Sequence, residues 1–591
     1  MAVSAGSCWF WGVRSIGVFA PLVLTLGFVA AECAIGADNG VLGAGEYDRP
    51  GPNPHQSRSM LIAKHGIVAT SQPLAAQTGL DVLKAGGNAI DAAIATNAML
   101  GLTEPNNCGI GGDLFVIYWD AKTQKLYGLN ACGRSPYRLN REVFASKNLK
   151  EIPGKGLLCW SVPGCVDGWN ELSKRFGTVP LATLLAPAIQ AAESGFAVTE
   201  QIARDWHSQA KDLEPFADSV ATYLPGGRAP EIGEIFTNPN LARSYRTIAE
   251  QGRDGYYKGD IARQIVEFSE QNGGYFTLND FADHSSTWID PVSTNYRGYD
   301  VWEIPPNGQG IAVLEILNVL EGYDLQKFGR TSPDYLHALI EAKKLAFADR
   351  ARYYADPDFA KTPVAELISK SYADKQRQRI NPHKSAVDVP AGDPILAKGD
   401  TIYMTVVDKD RNCCSFIQSN FAGFGSQVVP GKVGFVMQNR GGQFNLSPSH
   451  PNTLEPHKRP FHTIIPAFVT KEGKPWFCFG VMGGDVQPQG HVQILVNMID
   501  FGMNPQAAGD ASRMVHSGSQ TPTGRLLDEK GGSIIVESGI PDATIEALRA
   551  KGHVISRGGY FGGYQGILLD HKHGTLQGAT ESRTDGTVVG Y

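Results

Sequence analysis

The sequence predicts a large mixed helix-and-sheet protein, α/β in content and α+β in layout, and three observations carry that expectation. Residues 74–102 (LAAQTGLDVLKAGGNAIDAAIATNAMLGL) and 337–356 (HALIEAKKLAFADRARYYAD) place apolar side chains at the spacing of amphipathic helices, so the stretch from Met60 to about Gln376 is rich in helix. The last third reads instead as paired strands. TIYMTVVD (401–408) and CCSFIQS (413–419) flank the turn KDRN, and IIPAFVT (464–470) with WFCFGVM (476–482) makes a second hairpin. Finally, 591 residues at 42% hydrophobic content supply a core larger than one small module needs.

Taken in order, the elements have local causes. Arg14 precedes an apolar run from Ile16 to Ala31, then small residues, which is the pattern of a secretory signal spanning 1–37 and cut near Ala31 or Ala37. That implies export, periplasmic or secreted. The alternative is an uncleaved membrane anchor, although the run falls short of the ~20 residues a span requires. Glu32 argues against lipidation at Cys33, and no later stretch is apolar enough to cross a bilayer, so no stable membrane association is expected. Residues 38–57 form a Pro/Gly-rich leader arm. The helical pattern of 74–102 breaks at Gly86-Gly87, and HVQILVNMIDFG (491–502) reads as a buried helix. Between 377 and 400 the periodicity disappears (RQRINPHKSAVDVPAGDPILAKGD), marking an exposed linker that stops abruptly at Thr401.

Several function classes are excluded. A net charge of −6 without a basic block argues against nucleic acid as a partner. Nine scattered cysteines with no C-x-x-C exclude a disulfide scaffold, a zinc ribbon and a thioredoxin-like motif. No G-x-S-x-G, H-E-x-x-H or G-x-x-x-x-G-K-[ST] is present. His571 and His573 read as a surface turn, and Asp356 with Asp358 as a helix-end turn. No metal and no organic cofactor are expected.

Thr401 is the residue with a chemical possibility of its own. It follows a flexible segment and opens a predicted strand, with two glycine pairs, Gly441-Gly442 and Gly483-Gly484, downstream. If the Asp400–Thr401 bond is cut, Thr401 gains an α-amine of pKa about 7.7–8.0. One residue then supplies both a hydroxyl nucleophile and the base that takes its proton. Alone this is weak, because most threonines at strand starts are structural.

Ten blocks strengthen it. They include GGNAIDAA (86–93), LTEPNNCGIGGDLF (102–115), VPGCVDGW (162–169), EIPPNGQG (303–310), EAKKLAFADR (341–350), GDTIYMTVVDKD (399–410), KRPFHTIIP (458–466) and GVMGGD (480–485). In type and order they resemble the γ-glutamyltransferase family of N-terminal-nucleophile hydrolases across residues 60–591. The resemblance implies a four-layer αββα sandwich made by an autocleaved precursor, with a large subunit 58–400 and a small catalytic subunit 401–591. It further implies Thr401 as nucleophile, Gly483 and Gly484 as oxyanion-hole residues, and Asn420 as a substrate contact. His462-Thr463 stands where the family has a Ser-Ser pair that holds the substrate carboxylate.

The departures from that pattern bear on the substrate. Where family members carry an arginine that grips the α-carboxylate of the glutamyl group, this sequence has Cys132. Where they carry an aspartate for the α-ammonium, it has Gln443, with Arg440 newly arrived nearby. The pattern suits an acyl group with an acid but no amine. Arg134, two residues and about 6.6 Å along a strand from Cys132, is a possible replacement anchor; a surface ion pair is the alternative. Three readings follow: an amide hydrolase or acyltransferase acting on a small acid monoamide, as in the oxamate-hydrolysing branch; a genuine γ-glutamyltransferase or glutathione hydrolase; and a non-catalytic secreted binding protein. Retention of Thr401, Gly483 and Gly484 counts against the last. The expected partners are a small amide substrate, with water or an amine as acceptor, and the two subunits of one precursor.

Overall fold

Two seven-stranded antiparallel sheets lie face to face with helices outside each. The computed structural model describes residues 56–387, 389, 399–519, 522–523 and 531–591. The expected signal peptide, nearly all of the leader arm and linker positions 388 and 390–398 lie outside the described residues. The end of the arm is pinned, since Ser57 donates through both its backbone N and its Oγ to Asp510 Oδ2, each at 2.7 Å.

One sheet runs in the order Leu61–Ala63, Thr575–Thr580, Gly563–Asp570, Lys474–Met482, Ala467–Lys471, Tyr299–Glu303, Val292–Tyr296. The other runs Thr587–Gly590, Ile67–Thr70, Gly399–Val407, Cys413–Ala422, Asp113–Asp120, Lys125–Ala131, Thr287–Ile289. Each sheet contains strands from before and from after position 400, so a cut there leaves both pieces contributing to both sheets.

The side-chain period of a strand decides the layering. In Gly399–Val407, Ile402, Met404 and Val406 join the apolar cluster under the helices, while Tyr403 and Val407 join the cluster between the sheets. The neighbouring strand repeats this, with Cys414 and Phe416 on the helix side and Cys413 and Ile417 between the sheets. Helices Pro73–Lys84, Ala89–Thr103 and Leu181–Ser194 cover this sheet; Ile311–Leu320, Pro333–Tyr353 and Val486–Ile499 cover the other. The result is the expected αββα sandwich.

The helical pattern of 74–102 breaks at Gly86-Gly87 as expected, giving two helices with Gly86 at φ +100° between them. Asn88 starts the second by accepting from Ile90 N and Asp91 N, while Asp91 returns a carboxylate to Asn88 N. Two expectations need correction. Residues 337–353 of the expected helix 337–356 belong to a helix, Pro333–Tyr353, that is mostly buried and not amphipathic, and 354–356 lie beyond its end. Its charged residues go inside because each meets a partner: Lys344 meets Glu341 at 2.8 Å and Arg350 meets Asp485 at 2.6 Å. The strand expected to open at Thr401 opens at Gly399, two residues earlier, which places the Asp400–Thr401 bond inside a strand. No described helix is long and apolar enough to cross a membrane.

Candidate active site

Thr401 sits at a break in strand register. Gly399 pairs with Ala422 and Asp400 with Phe421, but Ile402 pairs with Gln418, so Ser419 and Asn420 together oppose the single residue Thr401. Such a bulge re-aims side chains and disrupts the ladder locally. Phe421 absorbs the irregularity at φ +82°, a conformation bulky L-residues avoid. In this geometry Thr401 Oγ1 donates to Ser419 Oγ at 3.1 Å, with Thr401 almost wholly buried.

Behind that pair stands a buried guanidinium. Arg440 Nη2 donates to Ser419 Oγ at 3.2 Å and Nη1 to Thr463 Oγ1 at 2.8 Å, and its Cζ lies 4.4 Å from the centre of the Phe421 ring. Arg440 Nε has no partner among the described residues. Burial pulls this guanidinium down to about 10, with the charge of Asp113 opposing, so it remains a cation at neutral pH.

Asp113 is fully committed. Its Oδ1 accepts from Gly133 N at 3.0 Å, Gly164 N at 3.1 Å and Gln438 Nε2 at 2.9 Å, and its Oδ2 accepts from His462 Nε2 at 3.1 Å. Burial alone would raise this carboxyl; the His462 hydrogen bond and the Arg440 charge hold it below its ordinary value. His462 Nδ1 accepts from Ile464 N at 3.3 Å, which leaves the hydrogen on Nε2. Burial first and Arg440 second push His462 down to about 4, so the ring is neutral at pH 7 and the contact with Asp113 is a hydrogen bond, not an ion pair. With both nitrogens used and no exposed surface, His462 cannot take a substrate carboxylate in this state.

Gly483 and Gly484 turn the strand Lys474–Met482 into the helix Val486–Ile499. Val486 N donates to Gly483 O at 3.1 Å and Gln487 N to Gly484 O at 3.2 Å. A trans peptide aims its N–H opposite its C=O, so the N–H groups of Gly484 and Asp485 face away from the helix, at its positive end. Gly483 holds φ +126°, and a Cβ there would fall 2.7 Å from the Tyr560 ring. Gln309 props the turn from beneath: its Nε2 donates to Thr463 O at 2.6 Å and Gly484 O at 2.9 Å, while Arg350 Nη1 donates to its Oε1 at 2.5 Å.

A cleft of about 630 Å³ opens onto Thr401, with Glu104, Gln427, Met482 and Asp585 among its lining. Of the residues singled out from sequence, Thr401, Arg440 and Thr463 form one hydrogen-bonded chain through Ser419. Asn420 lies beside it, fully buried, its Oδ1 without a partner among the described residues. Gln443 is in the turn Arg440–Gln443 but does not line the cleft. Cys132 is buried next to the cluster, accepting from Asn307 Nδ2 at 3.4 Å. Arg134 points elsewhere, toward Asp358 Oδ2 and Ser285 O, each at 3.4 Å.

Ser419, Asp113, Gln309 and Glu104 escaped the sequence reading. The first lies in a strand already identified, and its parity with Thr401 across the hairpin was the available signal. Among the described residues, two groups have ligand atoms within 4.8 Å of one another: Asp113 with Cys132 and His462, and His337 with Glu341 and His553. In the first the lone pairs are spent as above. In the second the Glu341 oxygens already serve Lys344 Nζ at 2.8 Å and Ala386 N at 3.1 Å. His573 pairs with Asp570 at 2.7 Å in an exposed turn.

The chain was compared with known proteins. The Gamma-glutamyltranspeptidase family model matches residues 75–591. The Glutathione hydrolase-like YwrD proenzyme of Bacillus subtilis is 39% identical over 538 residues, covering 90% of this chain and 99% of that protein. The Oxamate amidohydrolase proenzyme of Klebsiella pneumoniae is 31% identical, covering 90% of this chain and 99% of that one. A crystal structure of cephalosporin acylase from Bacillus halodurans superposes with a TM-score of 0.83 at 42% identity, over 93% of this chain and 99% of its own. The fold, the place of Thr401 in it and these likenesses agree: the chain belongs to the gamma-glutamyltranspeptidase family and is an enzyme of the N-terminal-nucleophile hydrolase type.

Proposed function

We propose that the exported precursor cuts itself between Asp400 and Thr401 and then hydrolyses amides of small acids that carry no α-amine. In the first step Thr401 Oγ attacks the Asp400 carbonyl carbon, the peptide C–N bond breaks, and the resulting ester is hydrolysed by water, freeing the Thr401 α-amine. The register break and the positive φ of Phe421 support this, since conformations of that kind hold on the order of 1–3 kcal/mol of strain. In the second step the α-amine takes the Thr401 hydroxyl proton, the oxygen adds to the substrate carbonyl, and backbone N–H groups at Gly483-Gly484 meet the negative charge. The amine leaves with a proton, and water releases the acid.

The observation that carries the acyl preference is the cation behind the nucleophile. Among the described residues Arg440 Nε has no partner, while the carboxylate near it, Asp113, accepts from four donors. An acid finds a cation there; an α-ammonium finds no free carboxylate and a like charge. Departure of the Gly399–Asp400 strand end, which pairs against Phe421 and Ala422, supplies the space. The YwrD likeness favours the second reading, a glutathione hydrolase with rebuilt recognition.

Purified processed protein assayed on γ-glutamyl-p-nitroanilide, glutathione and a panel of dicarboxylic and keto-acid monoamides separates the two. The highest kcat/KM is expected for an amine-free acid amide. A value for glutathione above every member of the panel overturns the acyl assignment.

A further inference from the structure

The cleft in front of Thr401 is unbalanced in charge. Its lining includes the carboxylates Glu104, Asp205, Asp212, Glu537 and Asp585 against the cations Lys155 and Arg583. Both cations are occupied: Lys155 meets Asp212 at 2.6 Å, and Arg583 meets Glu537 and Glu581, each at 2.6 Å. Neither Glu104 nor Asp585 has a cation within ion-pair distance among the described residues. Among the described residues Asp585 accepts only backbone N–H groups, from Gln201 at 3.0 Å and Ile202 at 3.2 Å, at the start of the helix Glu200–Leu213.

A second, independent feature points the same way. Gln427 lines this cleft, is 4% exposed, and its Oε1 has no donor among the described residues, while its Nε2 is spent on Gly423 O at 3.3 Å. A buried acceptor left without a donor is unfavourable, and a ligand bearing N–H groups repairs it.

We propose that Glu104, Asp585 and Gln427 form a subsite for a protonated amine carried on the leaving or accepting side of the amide, so that this enzyme favours amines with a cationic tail and disfavours those ending in a carboxylate. The proposal rests on the amide-hydrolase reading only for which part of the substrate the ammonium belongs to. Glu104 is well placed: it is 1% exposed, accepts from Ser71 Oγ at 2.5 Å and Asn107 Nδ2 at 2.9 Å, and so stands fixed in the wall. Burial, and after it the charges of Asp585 and Asp205, push its carboxyl up to about 7 despite those two hydrogen bonds. An arriving ammonium relieves that repulsion. A carboxylate tail, such as a released dipeptide carries, adds to it.

Calorimetric titration of the processed protein with 1,4-diaminobutane and with 4-aminobutanoate reads the subsite without any turnover. Binding of the diamine, weakened about tenfold in Glu104→Gln and in Asp585→Asn, with 4-aminobutanoate at least as much weaker in the parent protein, is the expected result. Asp205→Asn, half-exposed on the helix surface, guards against misfolding of the buried variants and is expected to weaken the diamine in the same direction. No diamine binding, equal binding of the two probes, or three variants indistinguishable from the parent overturns the subsite. Diamine binding as expected in a protein that hydrolyses no acid monoamide keeps the subsite and counts against the acyl assignment instead.

Discussion

Thr401 Oγ1 donates to Ser419 Oγ across 3.1 Å, and the same Ser419 oxygen accepts from Arg440 at 3.2 Å. The proposed nucleophile is thus oriented by one hydroxyl that also meets a buried cation, which favours a developing alkoxide over the neutral hydroxyl. Loss of one such hydrogen bond is worth about 0.5–1.5 kcal/mol. Ser419→Ala is therefore expected to slow precursor cleavage by up to about tenfold, followed as precursor and product bands over time. Unchanged cleavage kinetics would remove Ser419 from the orienting chain.

Arg440→Ala removes a buried guanidinium and its hydrogen bonds to Ser419 and Thr463. Each such bond is worth about 0.5–1.5 kcal/mol, so a fall in the urea midpoint is expected. Arg440→Lys keeps the charge but loses the fork that reaches Ser419 and Thr463 together. In Arg440→Lys, KM for the best acid amide should rise more than kcat falls, the pattern of lost uniform binding. Identical kinetics on that amide would dissociate Arg440 from substrate recognition.

The two glycines proposed to line the oxyanion hole are not equivalent. Gly484 holds φ +59°, which an L-residue tolerates at modest strain, whereas Gly483 holds φ +126° with Tyr560 in the way of a Cβ. Gly483→Ala should cost on the order of 10²–10³ in turnover, with Gly484→Ala losing less. The reverse ranking in kcat, measured on protein that is already cleaved, would show that the donors are elsewhere.

Two buried groups set opposite pH dependences. His462 is lowered from 6.5 to about 4, so the unfolded chain takes up a proton that the native one refuses; this stability is present above pH 6.5 and is lost as the pH falls toward 4. Glu104 is raised from 4.5 to about 7, so its contribution is present below pH 4.5 and is lost as the pH rises to 7. In urea unfolding, the stability of Glu104→Gln relative to the parent should climb between pH 4.5 and 7 and level off above. A difference that stays flat across that window would place the Glu104 titration outside it.

The layering was legible through the family resemblance, while period-two strands and long apolar helices reported the individual elements and their burial. Ile402, Met404 and Val406 against Tyr403 and Val407 announce a strand buried on both faces. What the sequence could not display was register. The bulge opposite Thr401 depends on how two strands pair, and neither strand alone encodes it. For the same reason Arg440 could be recognised as a cation near the site but not as one held behind the nucleophile by Ser419 and Thr463. The buried charges of Pro333–Tyr353 were misread because partners far along the chain, such as Asp485 for Arg350, reverse the usual penalty on burying charge. Arg134, by contrast, has the exposed partner Asp358, which matches the ion-pair alternative open from the outset.

N-terminal sequencing of the small fragment, alongside an amidase assay of Thr401→Ala and Thr401→Ser, tests the central claim most directly. The parent protein should yield a fragment beginning Thr-Ile-Tyr-Met, Thr401→Ser should cleave and hydrolyse, and Thr401→Ala should remain a folded, inactive single chain. An intact parent chain with full amidase activity, or a Thr401→Ala protein that still hydrolyses amides, would contradict it.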